Sequence, residues 1–243
     1  MSRAKNPPIA IDNRLLARLS SEDYQRLLPD LEPIELSLGD VVYETNTRQD
    51  YLYFPTTAVM SLISAMKDGA ATEVGVVGSE GVVGIAVFMG GEQVPNQAVV
   101  QIAGDATRMK ADILQKEFKR GGELQFLLLR YTQSLIAQIS QTAACNRRHS
   151  AEQRLCRWFL LCADRVKSSE FMMTQEFIAT MLGARRESVN SAAGELQAAG
   201  LIQYSRGHVK IIDRKGLEAR VCECYQVVKN EFDRLFGKGG AAG

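Results

Sequence analysis

Apolar and polar residues alternate along much of the chain from Ile34 to about Met109, and this period of two is typical of β-strands. The strand-like runs are IELSLGDVVYE, YLYFPTTAVMSLISAM, ATEVGVVG and QAVVQIAG. β-Branched and aromatic residues are frequent in these runs, and Lys67-Asp68-Gly69 is a typical hairpin turn. The segment is therefore predicted to form an antiparallel β-roll or sandwich, preceded by a short helix capped by Ser20 or Ser21.

After Ala111 the spacing of apolar residues changes to three and four, which is the period of an α-helix. From Glu123 to about Ala144 one apolar stripe consists of Leu124, Leu128, Tyr131, Leu135, Ile139 and Thr142. This stripe could pack on the roll of the same chain or form a coiled-coil seam with a second copy. Three consecutive leucines at 127–129 supply more apolar surface than one intramolecular face requires, so the sequence favours a homodimer. The predicted seam residues are Leu128, Tyr131, Leu135 and Ile139. The next helix is predicted over 151–166.

The segment TQEFIATMLGARRESVNSAAGELQAAGLIQY, residues 174–204, holds two amphipathic helical patterns separated by one glycine. Thr174 can cap the first helix and Gly183 can end it, because glycine readily adopts the positive φ of a helix terminus. The predicted buried residues of the second helix are Val189, Ala193 and Leu196. Two helices joined by so short a turn are typical of a helix-turn-helix.

The residues that follow this pair of helices predict a wing. Alternation around Ser205-Arg206-Gly207-His208 indicates a β-hairpin. The exposed start of the second helix is polar and basic, and in a helix-turn-helix this part enters the major groove, where Arg binds guanine and Glu accepts from cytosine. The predicted DNA-binding residues are Arg185, Arg186, Glu187, Asn190, Ser191, Arg206 and His208. The plainer alternative is a charged helix face that contacts only solvent.

The charge distribution favours the DNA interpretation. The 243-residue chain has a net charge of +1, but residues 1–145 carry 13 Lys and Arg against 17 Asp and Glu, and residues 146–243 carry 16 against 11. Only the C-terminal part therefore has a sign suited to phosphate. Since no apolar run approaches the length of a membrane span and no signal-peptide pattern is evident, we expect a cytoplasmic protein with no membrane partner.

Residues with catalytic or metal-binding potential are few. The five cysteines are Cys145, Cys156, Cys162, Cys222 and Cys224. Their odd number and spacing do not suggest a disulfide framework. Cys222 and Cys224 could form a redox or metal pair, but with only two histidines in the chain we expect buried thiols and no metal site. No nucleophile triad, Walker loop or paired-carboxylate motif is present, so neither an enzyme nor a cofactor is predicted.

This order of elements resembles the Crp/Fnr family of bacterial transcription regulators over nearly the whole chain, and ARRESVNSAAGELQAAGLI is the most specific part. The family's recognition helix typically has Arg-Glu and then Arg four residues after the Glu; Arg186 and Glu187 match, while Ser191 stands at the third position. The resemblance implies an α+β fold with a β-roll sensor domain at 1–122, a dimerisation helix at 123–145 and a winged helix-turn-helix at 146–243. It also implies a homodimer on near-palindromic DNA, with RNA polymerase as a possible partner.

The segment EGVVGIAVFMGGEQVPNQAVVQIAG, residues 80–104, resembles the phosphate-binding cassette of cyclic-nucleotide-binding rolls. In that family a Glu binds the ribose and an Arg-Ser or Arg-Thr pair binds the cyclic phosphate, whereas Ile85 and Asn96-Gln97 stand at those positions here. A buried phosphate without a cation would be costly, so cyclic AMP and cyclic GMP are not expected as ligands and the effector is unassigned.

Two further points bear on the function. The oxygen-sensing branch of the family holds an iron-sulfur cluster with N-terminal cysteines, and no cysteine precedes Cys145 here, which argues against that cofactor. The alternative function is a protein-interaction module whose winged helix docks a partner without reading bases.

Overall fold

The computed structural model describes residues 12–91, 93–166 and 168–237. The strands are β1 (Glu32–Leu36), β2 (Val41–Tyr43), β3 (Tyr51–Pro55), β4 (Val59–Ala65), β5 (Ala71–Val77), β6 (Gln97–Ile102), β7 (Gly104–Lys110), β8 (Glu170–Met172), β9 (Ile202–Ser205) and β10 (His208–Ile211). The helices are α1 (Ser21–Leu27), α2 (Ala86–Met89), α3 (Ala111–Arg120), α4 (Glu123–Arg148), α5 (Ala151–Val166), α6 (Gln175–Leu182), α7 (Arg186–Ala198), α8 (Arg214–Arg220) and α9 (Cys224–Phe236).

Two antiparallel sheets form the N-terminal roll, which confirms the predicted architecture. One sheet has the strand order β1-β7-β3 and the other has the order β2-β6-β4-β5. The predicted turn joins β4 to β5: the N–H of Met66 donates to the carbonyl of Ala70 over 2.7 Å, and Gly69 has a φ of +85°. The inward faces carry large, fully buried side chains that include Leu52, Phe54, Met60 and Met109. Their burial supplies the hydrophobic stabilisation of the roll.

Two short helices border and interrupt the roll. In α1 the hydroxyl of Ser20 accepts a hydrogen bond from the N–H of Asp23 over 3.1 Å, which is the predicted N-cap. The short helix α2 lies inside the segment that was predicted to be entirely β. It is a single turn ended by Gly90, whose φ is +87°. A helix of this length is too short to establish an apolar period of its own.

Helix α4 starts at Glu123, where the sequence predicted it, and runs to Arg148, three residues beyond the predicted end at 145. The stripe predicted to form a dimer seam lies against the chain's own roll and its C-terminal helix α9. Leu128 and Tyr131 are 0% exposed and Leu135 is 1% exposed, while Ile139 is partly buried. These side chains already have intramolecular partners, so the stripe is part of the core rather than a surface for a second subunit.

The contacts on this inner face explain its burial. Leu135 and Ile139 pack over Gly75 of β5, where a β-carbon would lie 3.5 Å from each side chain. The ring of Tyr131 covers Gly81 so closely that a β-carbon there would lie 2.3 Å from a ring carbon. On the other side, Tyr131 contacts Phe232 of α9, with ring centroids 6.4 Å apart. Helix α9 was not among the elements predicted from the sequence, and so this partner was not predicted either.

Helix α5 joins the C-terminal domain to the roll. The indole Nε1 of Trp158 donates to Oε1 of Glu73 over 3.0 Å. Near the end of α5, Nε of Arg165 lies 2.8 Å from Oε1 of Glu80, and both side chains are 5% exposed. The two domains therefore share a buried polar interface. Within the described part of the chain, no helix combines the length and the apolar character needed to cross a membrane.

Candidate nucleic-acid interface

Helix α6 begins and ends as its sequence predicts. The hydroxyl of Thr174 accepts a hydrogen bond from the N–H of Phe177 over 3.2 Å, which caps the first turn. Gly183 ends the helix with a φ of +55°, and its N–H donates to the carbonyl of Thr180 over 3.0 Å. A left-handed residue at this point turns the chain sharply, so that α7 can start after only three residues.

Helix α7 packs across α6 with its predicted apolar face. Val189 and Leu196 are 0% exposed and Ala193 is 3% exposed. At the crossing, Ala179 of α6 is also buried, and its small side chain lets the two helices approach closely. The pair has the arrangement of a helix-turn-helix, with α7 in the position of the recognition helix.

The opposite face of α7 carries the residues predicted to bind DNA, and all of them are exposed. These residues are Arg185, Arg186, Glu187, Asn190 and Ser191. Arg185 is the N-cap residue and Arg186 the first residue of the helix. Ser191 is one helical turn from Glu195 and donates to its Oε1 over 3.3 Å. The position where the family typically has Arg is therefore occupied by a short side chain held by an acidic neighbour.

The wing is the predicted hairpin, with one strand more than predicted. Arg206 and Gly207 form its turn, with φ values of +50° and +83°. His208 starts β10 and pairs with Ser205 of β9 on one side and with Met172 of β8 on the other. Strand β8 was not predicted, because three residues are too few to establish an alternating pattern. As the third strand of the sheet it holds the wing beside the start of α6.

A cleft of about 280 Å³ lies between the start of α6, the start of α7 and the wing. Its wall includes two guanidinium groups, those of Arg186 and Arg206, and the first residue of α6, Gln175. Across the cleft the hydroxyl of Tyr204 donates to the carbonyl of Met173 over 2.9 Å. Burial raises the pKa of Tyr204, and the charge of Arg186 opposes that shift. Glu176 places one carboxylate in the same wall. The two arginines and the positive end of α6 outweigh that single negative charge, so the cleft is suited to a phosphate.

Similarity to known proteins agrees with this geometry. Residues 153–220 match the family of Crp-like helix-turn-helix domains. The chain carries a Crp-like helix-turn-helix domain. The matched residues run from α5 to the end of α8 and include the recognition helix and the wing. No curated protein matches the chain.

Solved structures extend the likeness to the whole fold. FixK2 from Bradyrhizobium japonicum is 18% identical, with a TM-score of 0.66 over 79% of this chain and 98% of that one. The c-di-GMP responsive global regulator CLP from Xanthomonas campestris is 15% identical, with a TM-score of 0.64 over 79% and 99% of the two chains. TTHB099, a CRP-family transcriptional regulator from Thermus thermophilus, is 18% identical, with a TM-score of 0.62 over 77% and 95%. The chain therefore has the fold of the Crp/Fnr regulators.

The Crp-like domain is docked on the roll through its own turn. The hydroxyl of Thr72 on β5 donates to the carbonyl of Met181 over 3.3 Å. A β-carbon on Gly183 would lie 2.9 Å from that hydroxyl oxygen, so glycine is required here by space as well as by its positive φ. Nη1 of Arg154 donates to the carbonyl of Leu182 over 3.1 Å. No feature of the sequence near Thr72 indicated the hydrogen bond between Thr72 and Met181, which joins residues more than a hundred positions apart.

The roll of the Crp/Fnr fold encloses a cavity of about 130 Å³ beneath α4. Ile85 and Asn96, which the sequence resemblance predicted at the nucleotide-binding positions, both line it. Gln97 lies instead on β6, paired with Ile63. The cavity environment disfavours charge: burial raises the pKa of Tyr43, another lining residue, to about 12. None of the described residues that line the cavity is a lysine or an arginine.

Proposed function

We propose that this protein is a homodimeric, sequence-specific DNA-binding regulator of transcription. The observation that carries the proposal is the exposed start of α7 beside the basic cleft of the wing. There, Arg185, Arg186 and Glu187 are all open to solvent at the end of the helix that enters the major groove in helix-turn-helix proteins. Base edges and phosphates could thus be contacted from one surface.

The charges of this surface are available to DNA. None of the three arginines at 185, 186 and 206 forms an ion pair with another described residue. A guanidinium without an intramolecular partner can release counterions from a phosphate backbone, which makes binding strongly dependent on salt. His208, at the start of β10, is also exposed and lies next to the wing turn. These groups support phosphate contacts by the wing and base contacts by α7.

The outer face of α4 supports dimerisation. Phe126, Leu129 and Ile136 are 50%, 48% and 46% exposed, although each is apolar. Together with Gln133, Ser140 and Ala143 they recur at alternating intervals of three and four residues, which is the heptad pattern of a coiled-coil seam. We propose that this face, and not the buried stripe that includes Leu135, contacts a second copy of the chain.

A symmetric dimer would present two recognition helices to successive turns of the major groove, about 34 Å apart, so the site should be a near-palindrome. RNA polymerase is the partner we propose for activation from such a site. The effector we propose for the roll is not a cyclic mononucleotide, because the cavity offers no cation from its described lining residues. One of the structural neighbours is described as responsive to c-di-GMP. For this chain we propose an uncharged effector, because none of the described residues that line the cavity is a lysine or an arginine.

Selection of binding sites from a pool of random DNA duplexes tests the proposal. The protein should enrich a near-palindromic sequence, and its affinity for that sequence should fall steeply as salt rises. Arg206→Ala should weaken binding to all duplexes alike, because it removes a phosphate contact. Lys229→Ala is the matched control: this lysine lies on α9, is ion-paired with Asp233, and should leave binding unchanged.

Two outcomes would contradict the proposal. If no sequence is enriched from the pool, the protein does not read bases, and the alternative in which the winged helix docks a protein partner is favoured. If the Arg206→Ala variant and the unmodified protein bind DNA with equal affinity at low salt, Arg206 of the wing does not contact DNA.

A further inference from the structure

Four side chains that can ligate a metal meet where α4 ends and α9 begins. Cys145 lies in the last turn of α4, and His149 is its C-cap residue. Cys222 and Cys224 lie on either side of Glu223 at the start of α9. Their four ligand atoms, three sulfurs and one imidazole nitrogen, all lie within 4.8 Å of one another. The three cysteines are no more than 3% exposed.

The distances fit one small ion. Sγ of Cys145 lies 3.6 Å from Sγ of Cys222, and Sγ of Cys224 lies 3.5 Å from Nδ1 of His149. A tetrahedral zinc ion, with bonds of about 2.3 Å to sulfur and about 2.0–2.1 Å to nitrogen, spaces its ligand atoms roughly 3.5–3.8 Å apart. Both measured distances therefore match edges of that tetrahedron. The widest pairs would have to approach by no more than about 1 Å.

Local structure explains how each pair of ligands is presented. Residues four apart on a helix share one face, so Cys145 and His149 project from α4 in the same direction. Cys222 and Cys224 are separated by one residue at the turn between α8 and α9. Because α9 packs along α4, it brings the second pair against the first across 77 residues of sequence.

The surroundings of the four donors resemble those of structural metal sites. With Nδ1 of His149 facing the sulfurs, its Nε2 lies 3.3 Å from Oε2 of Glu223, and a carboxylate at the far nitrogen commonly orients a metal-bound histidine. Nε2 of Gln141, one turn before Cys145, donates to Sγ of Cys224 over 3.0 Å. A thiolate that coordinates a metal commonly accepts such a hydrogen bond from a neighbouring N–H group. A cluster of inert apolar thiols would account for neither polar contact.

We propose that Cys145, His149, Cys222 and Cys224 bind one Zn²⁺ ion in a structural Cys₃His site. Zinc prefers this ligand set in four-coordinate, closed geometry, and all four positions here come from the protein. An iron-sulfur cluster would need its cysteines spread around several iron and sulfide ions, whereas these sulfurs are close enough to share a single ion. A disulfide would require about 2.05 Å between two sulfurs and would leave the third cysteine and the histidine without a role.

The site would fix the joint between the two domains. His149 lies between α4 and α5, where the chain enters the Crp-like domain. An ion bound there would therefore link the end of α4 to the start of α9. Metal binding would then add stability to the orientation of the recognition helix relative to α4.

Elemental analysis of the reduced protein, purified without chelator and incubated with zinc, tests the proposal. We expect about one zinc ion per chain and a stoichiometry close to zero for Cys222→Ala and His149→Ala. Cys156→Ala is the matched control, because this buried cysteine of α5 is outside the group of four and should leave the stoichiometry unchanged. Cobalt in place of zinc should give the absorption of a tetrahedral ion bound by thiolate, weaker for each cysteine removed.

A variant on the surface keeps the test independent of folding. Glu223 is 73% exposed, so Glu223→Gln should fold normally and still weaken zinc binding about 10- to 100-fold, through loss of the orienting carboxylate. Failure of the reduced protein to take up any metal would overturn the proposal. So would iron with the visible absorption of a cluster, or a disulfide among Cys145, Cys222 and Cys224 found by thiol counting before reduction.

Discussion

Trp158 of α5 and Glu73 of β5 form a hydrogen bond that joins the Crp-like domain to the roll, with the indole Nε1 3.0 Å from Oε1 of the carboxyl group. The other carboxyl oxygen lies 2.6 Å from the hydroxyl of Ser61. That hydroxyl also contacts Oε1 of Gln101, whose Nε2 donates to Sγ of Cys162 over 2.9 Å. The buried carboxyl group of Glu73 therefore accepts hydrogen bonds from the indole of Trp158 and from the hydroxyl of Ser61.

Glu73→Gln should remove a pH dependence of stability. Burial raises the pKa of Glu73 to about 7, although Ser61 and Trp158 and the charges of Arg157 and Arg165 oppose the shift. A raised pKa means that the folded protein holds this proton more tightly than the unfolded chain, whose glutamates titrate near 4.3. The stability that this proton contributes to the folded state is fully present below about pH 4.3 and is lost as pH rises through 7. Between pH 5 and pH 8 the free energy of unfolding should fall by up to roughly 3 kcal/mol more in the unmodified protein than in the variant.

Urea unfolding of both proteins at the two pH values measures this difference. The exposed Glu35 offers a control, since Glu35→Gln should leave the pH dependence as it is. Identical pH profiles for the unmodified protein and Glu73→Gln would show that Glu73 is ionised throughout.

Ile136→Glu should produce a folded monomer. The side chain is 46% exposed on the outer face of α4, so a charge there disturbs the proposed seam and leaves the core intact. Leu135→Ala is the neighbouring control: Leu135 is 1% exposed, and its truncation should cost about 2–5 kcal/mol of stability without changing the dimer. Sedimentation velocity gives the mass and circular dichroism the fold. A dimer that survives Ile136→Glu would place the interface elsewhere.

Cyclic AMP and cyclic GMP should give no saturable heat in calorimetry at millimolar concentration. The cavity of the roll has about 130 Å³, and ligand pockets usually have about 300–1,000 Å³. Neither Ile85 nor Asn96, which line the cavity, carries a charge that could bind a ribose as a carboxylate does or neutralise a phosphate. Micromolar binding of either nucleotide would mean that the roll recognises the phosphate by other residues.

Local signals in the sequence were sufficient for the helix-turn-helix and its wing. Thr174 and Gly183 act through bonds and backbone angles within a few residues, and so their type alone indicated where α6 begins and ends. The hairpin at Gly69 was predictable for the same reason. The sequence did not predict which face of α4 is buried. Leu128 and Leu129 are equally apolar, and only the packing of α9 and β5 places Leu128 in the core and leaves Leu129 exposed.

The meeting of Cys145, His149, Cys222 and Cys224 was not predicted for a similar reason. Each half has an unremarkable spacing, and a sequence with two histidines gave no reason to join them. Their meeting depends on the return of α9 along α4, which is a long-range contact without a local signature. The positions of α4 and α9 relative to each other must be known before the four side chains are seen to meet.

The adjacent arginines at the start of α7 should have different roles in DNA binding. Arg186 precedes Glu187 in the Arg-Glu pair of the recognition helix and is exposed at its first turn, so we expect it to bind guanine with two hydrogen bonds, worth about 1–3 kcal/mol of discrimination. Arg185 is the N-cap residue, about 100° around the helix axis, and should contact a phosphate. Arg186→Ala should therefore relax the preference at one base pair of each half-site, whereas Arg185→Ala should weaken all sequences equally and lower the salt dependence. Site selection with each variant distinguishes the two roles, and an unchanged base preference in Arg186→Ala would exclude that residue from direct readout.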